Sequence, residues 1–228
     1  VAQLFNKYDV VSLPVVDNEN CMVGIVTFDD AIDVIQEEAE EDFQKMAAIA
    51  PTTDKPYLKI SVWELWKGRI PWLIFLMLSA TFTGMIISSF EDALSKIVVL
   101  TAFIPMLMGT GGNSGSQASV TVIRGLSLGE IDVRDILRVL WKEIRVSVLC
   151  GVSLAIACFV KIIFIDGMLL KTPGVTNNVA LVVALTLCLT VICAKIIGCV
   201  LPIIAKKMKL DPAAMASPLI TTVVDGVS

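Results

Sequence analysis

Long uncharged runs alternate with short basic segments along the last two thirds of this chain. Ile70 to Phe90 is 21 residues without a charge, enough to cross about 30 Å of hydrocarbon as a helix. Ile97 to Ile123 is equally uncharged but interrupted by glycines. Val146 to Ile165 carries only Lys161, and Val179 to Ala205 only Lys195. A fifth apolar segment opens at Asp211 and runs to Ser228. A span needs roughly 20 residues, so this segment is expected to be truncated and to continue about ten residues further.

The first third has a different pattern. Val10 to Val16 reads as a strand whose Pro14 suits an edge or a strand end. Asn18-Glu-Asn20 reads as a turn, and Cys21 to Thr27 as a second, β-branched strand. Asp29 opens a helix whose acidic first turn suits the helix dipole. Two strands and a helix of this size do not bury an independent core, so they read as the tail of a larger domain. A polar linker comes after Pro51. Val62 to Arg69, with Trp63 and Trp66, reads as an interfacial segment lying ahead of the first span.

Composition and charge sharpen this picture. Hydrophobic residues make up 56% of the 228 and the mean hydropathy is +0.81, too apolar for an ordinary soluble domain. Basic residues segregate by loop. Lys67, Arg69, Arg124, Arg134, Arg138, Lys142, Arg145, Lys206, Lys207 and Lys209 fall on one side of the predicted spans, and only Lys96 and Lys171 on the other. The first side, with the N-terminal region, is therefore expected to be cytoplasmic. No histidine is present, and the six cysteines lack metal-ligand spacing, so zinc and disulfide frameworks are not expected. Neither a nucleophile–base pair nor a phosphate-binding loop is visible, so no enzyme is expected, and nothing points to nucleic acid.

Two polar features stand out in the apolar part. Pro105-Met-Leu-Met-Gly109-Thr-Gly111-Gly112-Asn113-Ser-Gly115-Ser-Gln117 crowds glycines into the second span. It is expected to break or thin that helix, as ion-site helices do, although glycine also permits close helix packing. Asn113 and Gln117, four apart, offer neutral oxygens to a cation or its water shell. In the fifth segment Asp211-Pro212 reads as an N-cap with proline at the first helical position, and Pro218 stands at a kink position. Ser217, Thr221 and Asp225 form a polar stripe ending in a carboxylate. Inside a bilayer that carboxylate requires water, a partner charge or a passing cation. Lys161 and Lys195 are the lysines that would pair with it if its role were structural. Mg²⁺ sheds its water reluctantly, so one such carboxylate per subunit, repeated about a symmetry axis, suits the hydrated ion.

Asp29, Asp30, Asp33, Glu37, Glu38, Glu40, Glu41 and Asp42 put eight acids into fourteen residues. Like charges at this spacing repel along a helix. A hard cation such as Mg²⁺, Ca²⁺ or Mn²⁺ would relieve that repulsion, whereas most charge runs are simply solvated faces.

The glycine-rich segment, together with Asp211-Pro-Ala and Ser217-Pro-Leu through Asp225, resembles the MgtE family of magnesium channels and transporters. The resemblance covers essentially the whole chain. It implies an all-α polytopic membrane protein with five transmembrane helices per subunit, preceded by a partial α/β CBS domain and a connecting helix. On this reading residues 1–40 are the end of a second CBS domain, 41–68 the connecting "plug" helix and interfacial segment, and 69–228 the pore domain. The subunits would pair as a homodimer around a pore in the plasma membrane. Asp225, Thr221, Asn113 and Gly112 would be the pore residues, and Asp9, Asp30, Asp33, Glu38, Glu41 and Asp42 the regulatory Mg²⁺ positions. Mg²⁺ would be both transported and regulatory, with Mn²⁺ or Co²⁺ as further ions. Two other readings compete with a Mg²⁺ channel closed by cytosolic Mg²⁺: a Na⁺- or H⁺-driven divalent-cation transporter, and a membrane-anchored sensor that conducts nothing.

Overall fold

The computed structural model describes residues 2–50, 57–215 and 217–227. The chain divides into two compact units, Val1–Gln44 and Lys45–Ser228.

In the first unit, α1 (Ala2–Tyr8) precedes an antiparallel hairpin of β1 (Ser12–Val16) and β2 (Met22–Thr27). Leu13 pairs with Val26 and Pro14 with Ile25, and a bulge falls between Val15 and Val16. With only two strands in the sheet both have a free edge, so Pro14 removes no essential ladder bond. The turn is closed by Asp17, whose Oδ1 accepts the amides of Glu19 and Cys21, each at 2.9 Å. Helix α2 (Phe28–Met46) comes next. Phe5, almost fully buried, meets the Phe28 ring edge-on at 6.0 Å between centroids. Helix α2 runs without a break across the sequence-predicted boundary at residues 40 and 41.

The second unit is helical. Ser61 caps α3 (Val62–Ser89) in a reciprocal box: its Oγ accepts the Glu64 amide, and the Glu64 carboxylate accepts the Ser61 amide. The Val62 to Arg69 stretch, expected as an interfacial segment, forms the first two turns of this helix. Pro71 lies inside α3, and nearby the Gly68 carbonyl accepts the Ala50 amide at 2.9 Å. Part of the linker expected after Pro51 lies outside the described residues.

The short helix α4 (Glu91–Leu94) leads into a 3₁₀ stretch, Ser95–Phe103, and then α5 (Ile104–Ser127). This corrects the expectation for the second span. Helix α5 runs unbroken through Gly109 to Gly115, and the irregular backbone lies earlier, at Ile97 with φ −136° and ψ 70°. Glycine disfavours helix by about 1 kcal/mol per residue relative to alanine. In a bilayer, however, breaking the ladder strands several backbone groups without water. Tight packing against the glycine face also favours the regular helix.

Helix α6 (Ile136–Lys161) ends in a π-helical stretch, Ile162–Leu169. There Lys161 Nζ pairs with the largely buried Asp166 at 2.7 Å and also lies over the Phe103 ring. Helix α7 (Asn177–Lys207) is capped by Thr176, whose Oγ1 accepts the Val179 amide. It is the central helix, packed against α6 and α5. Val179, Val183, Leu187, Val191 and Ala194 recur along it at helical spacing and are all buried.

The fifth segment is not one helix. Asp211 does cap, with Oδ1 accepting the Ala213 amide at 2.9 Å, but the element it opens is a 3₁₀ turn, Pro212–Met215. Helix α8 (Ser217–Val227) then begins, with Pro218 in its first turn rather than at a kink. Proline suits that position because first-turn amides have no helical acceptor. Among the described residues four helices are long and apolar enough to cross a membrane, and α8, an apolar helix of 11 residues, is shorter.

Candidate functional site

The glycines of α5 seat α8. A Cβ on Gly112 would lie 3.0 Å from Thr221 Cγ2, and one on Gly111 would lie 2.6 Å from Thr190 Cγ2. A Cβ on Gly115 would meet Ile220 at 2.9 Å and the Ala194 carbonyl at 3.0 Å. On α7, a Cβ on Gly198 would be 2.1 Å from the Gly115 carbonyl oxygen. The glycine run is thus the surface on which α5, α7 and α8 close together, the small-residue packing typical of membrane helices.

This packing places the α8 polar positions. Thr221 Oγ1 donates to the Pro218 carbonyl at 2.9 Å, and Thr222 Oγ1 donates to the same oxygen at 3.0 Å. The Thr221 hydroxyl proton is therefore engaged, and its lone pairs remain as acceptors for a cation or its water. Asp225 lies one turn later and is half-buried. Next to it, Gly226 faces Thr83 and Ile86 of α3. Among the described residues no ion pair or hydrogen bond is made to Asp225, and neither candidate lysine reaches it. Lys161 is paired with Asp166, and Lys195 lines a separate cavity. The stripe's first member, the Ser217 side chain, lies outside the described residues.

The other expected pore residues fall on neighbouring flanks of α5. Gly112 is buried against Thr221. Asn113 is exposed on the open flank, with Gly109, Gln117 and Val120, and borders the Lys195 cavity. The structure therefore brings Gly112 and Thr221 together and sets Asn113 beside them, facing away from α8.

The expected regulatory positions all lie in the first unit. Asp9 is exposed with a left-handed φ of 50°. Asp30 accepts the Thr27 hydroxyl. Asp33 and Glu38 are exposed on α2, whereas Glu41 and Asp42 are half-buried. The nearby Thr27 side chain, then the amides of Asp29 and Asp30, hold the neighbouring Asp29 carboxyl below its ordinary value. Among the described residues no group of three or more acidic or thiol side chains converges to hold a metal ion.

Two contacts escaped the sequence reading. Lys45 Nζ meets Asp211 Oδ2 at 2.6 Å, joining the residue after Gln44 to the entry of the fifth segment. Nothing in their spacing announces this contact. The Lys161–Asp166 pair did have a signal, because five residues apart is the spacing of a π-helical turn.

Four long apolar helices, a glycine-packed short helix and a small αβ unit define a multi-pass helical membrane protein. Residues 104–228 match the MgtE family, described as divalent cation transporters, and residues 1–37 match the CBS domain. The chain belongs to the MgtE family. It is 38% identical over 225 residues to the magnesium transporter MgtE of Thermus thermophilus, covering 99% of this chain and 48% of the relative. It is 42% identical over 232 residues to the magnesium transporter MgtE of Bacillus subtilis, covering 100% and 48%. The protein of the same name from Enterococcus faecalis is 30% identical over 228 residues, covering 99% and 47%. The chain therefore spans about half the length of the curated relatives it matches.

Proposed function

We propose that this chain forms the membrane pathway, and the adjoining end of the regulatory region, of a Mg²⁺ channel. The observation that carries this reading is Asp225: a half-buried carboxylate in an apolar helix, one turn beyond the acceptor oxygens of Thr221, without a protein counter-charge among the described residues. A hydrated divalent cation supplies the missing charge. Thr221, Asn113 and the Gly112 backbone offer neutral oxygens to its water shell. In this proposal α8 is the start of a fifth span, and two copies meet about an axis so that each contributes one Asp225. The N-terminal region faces the cytoplasm of a plasma-membrane protein, as the loop charges support.

The acidic first unit accounts for gating. Cytosolic Mg²⁺ among Asp9, Asp30, Asp33, Glu38, Glu41 and Asp42 relieves their mutual repulsion and favours the closed form, and its loss restores the repulsion. Among the described residues these side chains do not converge within one chain, so the ligand sets are completed by neighbouring domains or by a second copy. The Lys45–Asp211 pair is a direct link from the end of α2 to the entry of the pore segment. Lys45→Met is expected to shift the Mg²⁺ concentration that halves the flux by about fivefold, the scale of a partly exposed ion pair. A shift below twofold would show that the pair does not transmit gating.

The test of the whole reading is Mg²⁺ uptake into liposomes carrying the full-length protein, with and without a proton or Na⁺ gradient. Uptake driven by the Mg²⁺ gradient alone is the expected result, with Mn²⁺ and Co²⁺ tested as competing ions. Uptake that requires the second gradient would replace the channel with a coupled transporter. Absence of uptake in either condition would favour a non-conducting sensor.

A further inference from the structure

A cavity of about 520 Å³ lies between α5, α6 and α7, on the side of α5 away from α8. This volume is in the range of small-molecule sites. Lys195, only 5% exposed, reaches it from α7. Thr110, Asn113, Ser114 and Gln117 line it from α5. None of these five side chains has a hydrogen-bond or ionic partner among the described residues. On α6, the Ser153 hydroxyl donates to the Leu149 carbonyl at 2.8 Å and so has no proton left for the cavity.

The donors decide the ligand. An ammonium, two amide NH₂ groups and two free hydroxyls face one space that no carboxylate is found to line. A fixed ammonium repels a divalent cation and attracts an anion. An ammonium at this depth is strongly disfavoured without a counter-charge. Lys195 precedes Lys206 on α7 by three turns, about 16 Å along the axis. The remaining wall is apolar, made by Leu149, Cys150 and Leu154. Leu149 is 71% exposed at the rim, where a membrane protein meets acyl chains. A free inorganic anion satisfies the donors but leaves that wall unmatched.

We propose that this cavity is an anion-binding site in which Lys195, Thr110, Asn113, Ser114 and Gln117 hold the carboxylate or phosphate oxygens of a membrane amphiphile, its apolar chain lying over Leu149 and Leu154. The cavity lies on the flank of α5 away from α8 and shares only Asn113 with the proposed Asp225 pathway, and its test does not depend on transport.

Full-length protein reconstituted in phosphatidylcholine is titrated with radiolabelled oleate, and separately with inorganic phosphate. Saturable oleate binding is expected, weakened roughly 30-fold or more by Lys195→Met, as for loss of one member of a buried charge pair, and largely kept by Lys195→Arg. Ser153→Trp narrows the cavity from its exposed wall and is expected to lower oleate binding with Lys195 intact. It covers the case in which Lys195→Met does not fold. Asp225→Asn is expected to bind oleate as the parent does. Equal oleate binding by Lys195→Met and the parent would overturn the site, as would absence of saturable binding to the parent. Displacement of oleate by equimolar phosphate would overturn the amphiphile as ligand.

Discussion

Asp225→Asn is expected to reduce divalent-cation flux on the order of 100-fold, with little change in folding. Asparagine keeps the shape and one acceptor oxygen of the side chain, and replaces the other oxygen and the charge with an NH₂ donor. A carboxylate a few ångströms from a divalent ion contributes several kcal/mol even at an effective dielectric near 20. Losing about 2.7 kcal/mol of that at the rate-limiting site corresponds to 100-fold. The substitution also relieves a half-buried charge without a partner among the described residues, so thermal stability should hold or rise slightly. Asp225→Glu, which keeps the charge one methylene further out, should retain part of the flux. The comparison is initial Mg²⁺ uptake at matched protein density, with melting temperature as the folding control. Flux in Asp225→Asn within twofold of the parent would make the carboxylate incidental and remove the observation on which the proposed function rests.

The parts of this structure that the sequence made legible are those decided locally. Apolar runs such as Ile70 to Phe90 and Val179 to Ala205 mark helices because the bilayer sets both their length and their composition. The observed helices overrun these stretches, α7 reaching Lys207, because a helix continues into the interface after apolarity ends. The two strands and the Asn18 to Asn20 turn between them were equally visible, and the bonds that close the turn are local ones to Asp17. The features that stayed hidden depend on a partner distant in the chain. The glycines of α5 read as helix breakers because propensity describes an isolated helix, whereas Thr190, Thr221 and Gly198 supply the surfaces against which they pack. Asp211-Pro212 carried a good helix-start signal, and the cap did form, but the element it opens is the 3₁₀ turn Pro212–Met215 rather than α8. Asp225 and Lys195 were both recognisable as lone charges in apolar segments. That they lie on different flanks of α5 and do not pair required the packing of three helices.

Gly198→Ala carries the other large expected effect. Its added methyl would sit 2.1 Å from the carbonyl oxygen of Gly115 and 2.9 Å from the carbonyl carbon. Both atoms are backbone, so no side-chain rotation relieves the contact and α5 and α7 must move apart. Overpacking of this kind destabilises by about 1–3 kcal/mol or more, against a helix-propensity gain of about 1 kcal/mol or less from replacing glycine. The displacement does not stop at one crossing. Gly115 also faces Ile220 and Val224 of α8, so lifting α5 from α7 disturbs the seat of the helix that carries Asp225. Stability and flux should therefore fall together, unlike the Asp225→Asn result, where flux falls alone. Gly84→Ala supplies the opposite sign: a Cβ at Gly84 meets nothing within 4 Å, so the propensity term acts unopposed and stability should stay level or rise. The measurement is thermal unfolding of the two variants in one detergent. A Gly198→Ala melting temperature equal to that of Gly84→Ala would mean that the α5–α7 crossing is loose enough to admit a methyl, and that the glycines do not set the position of α8.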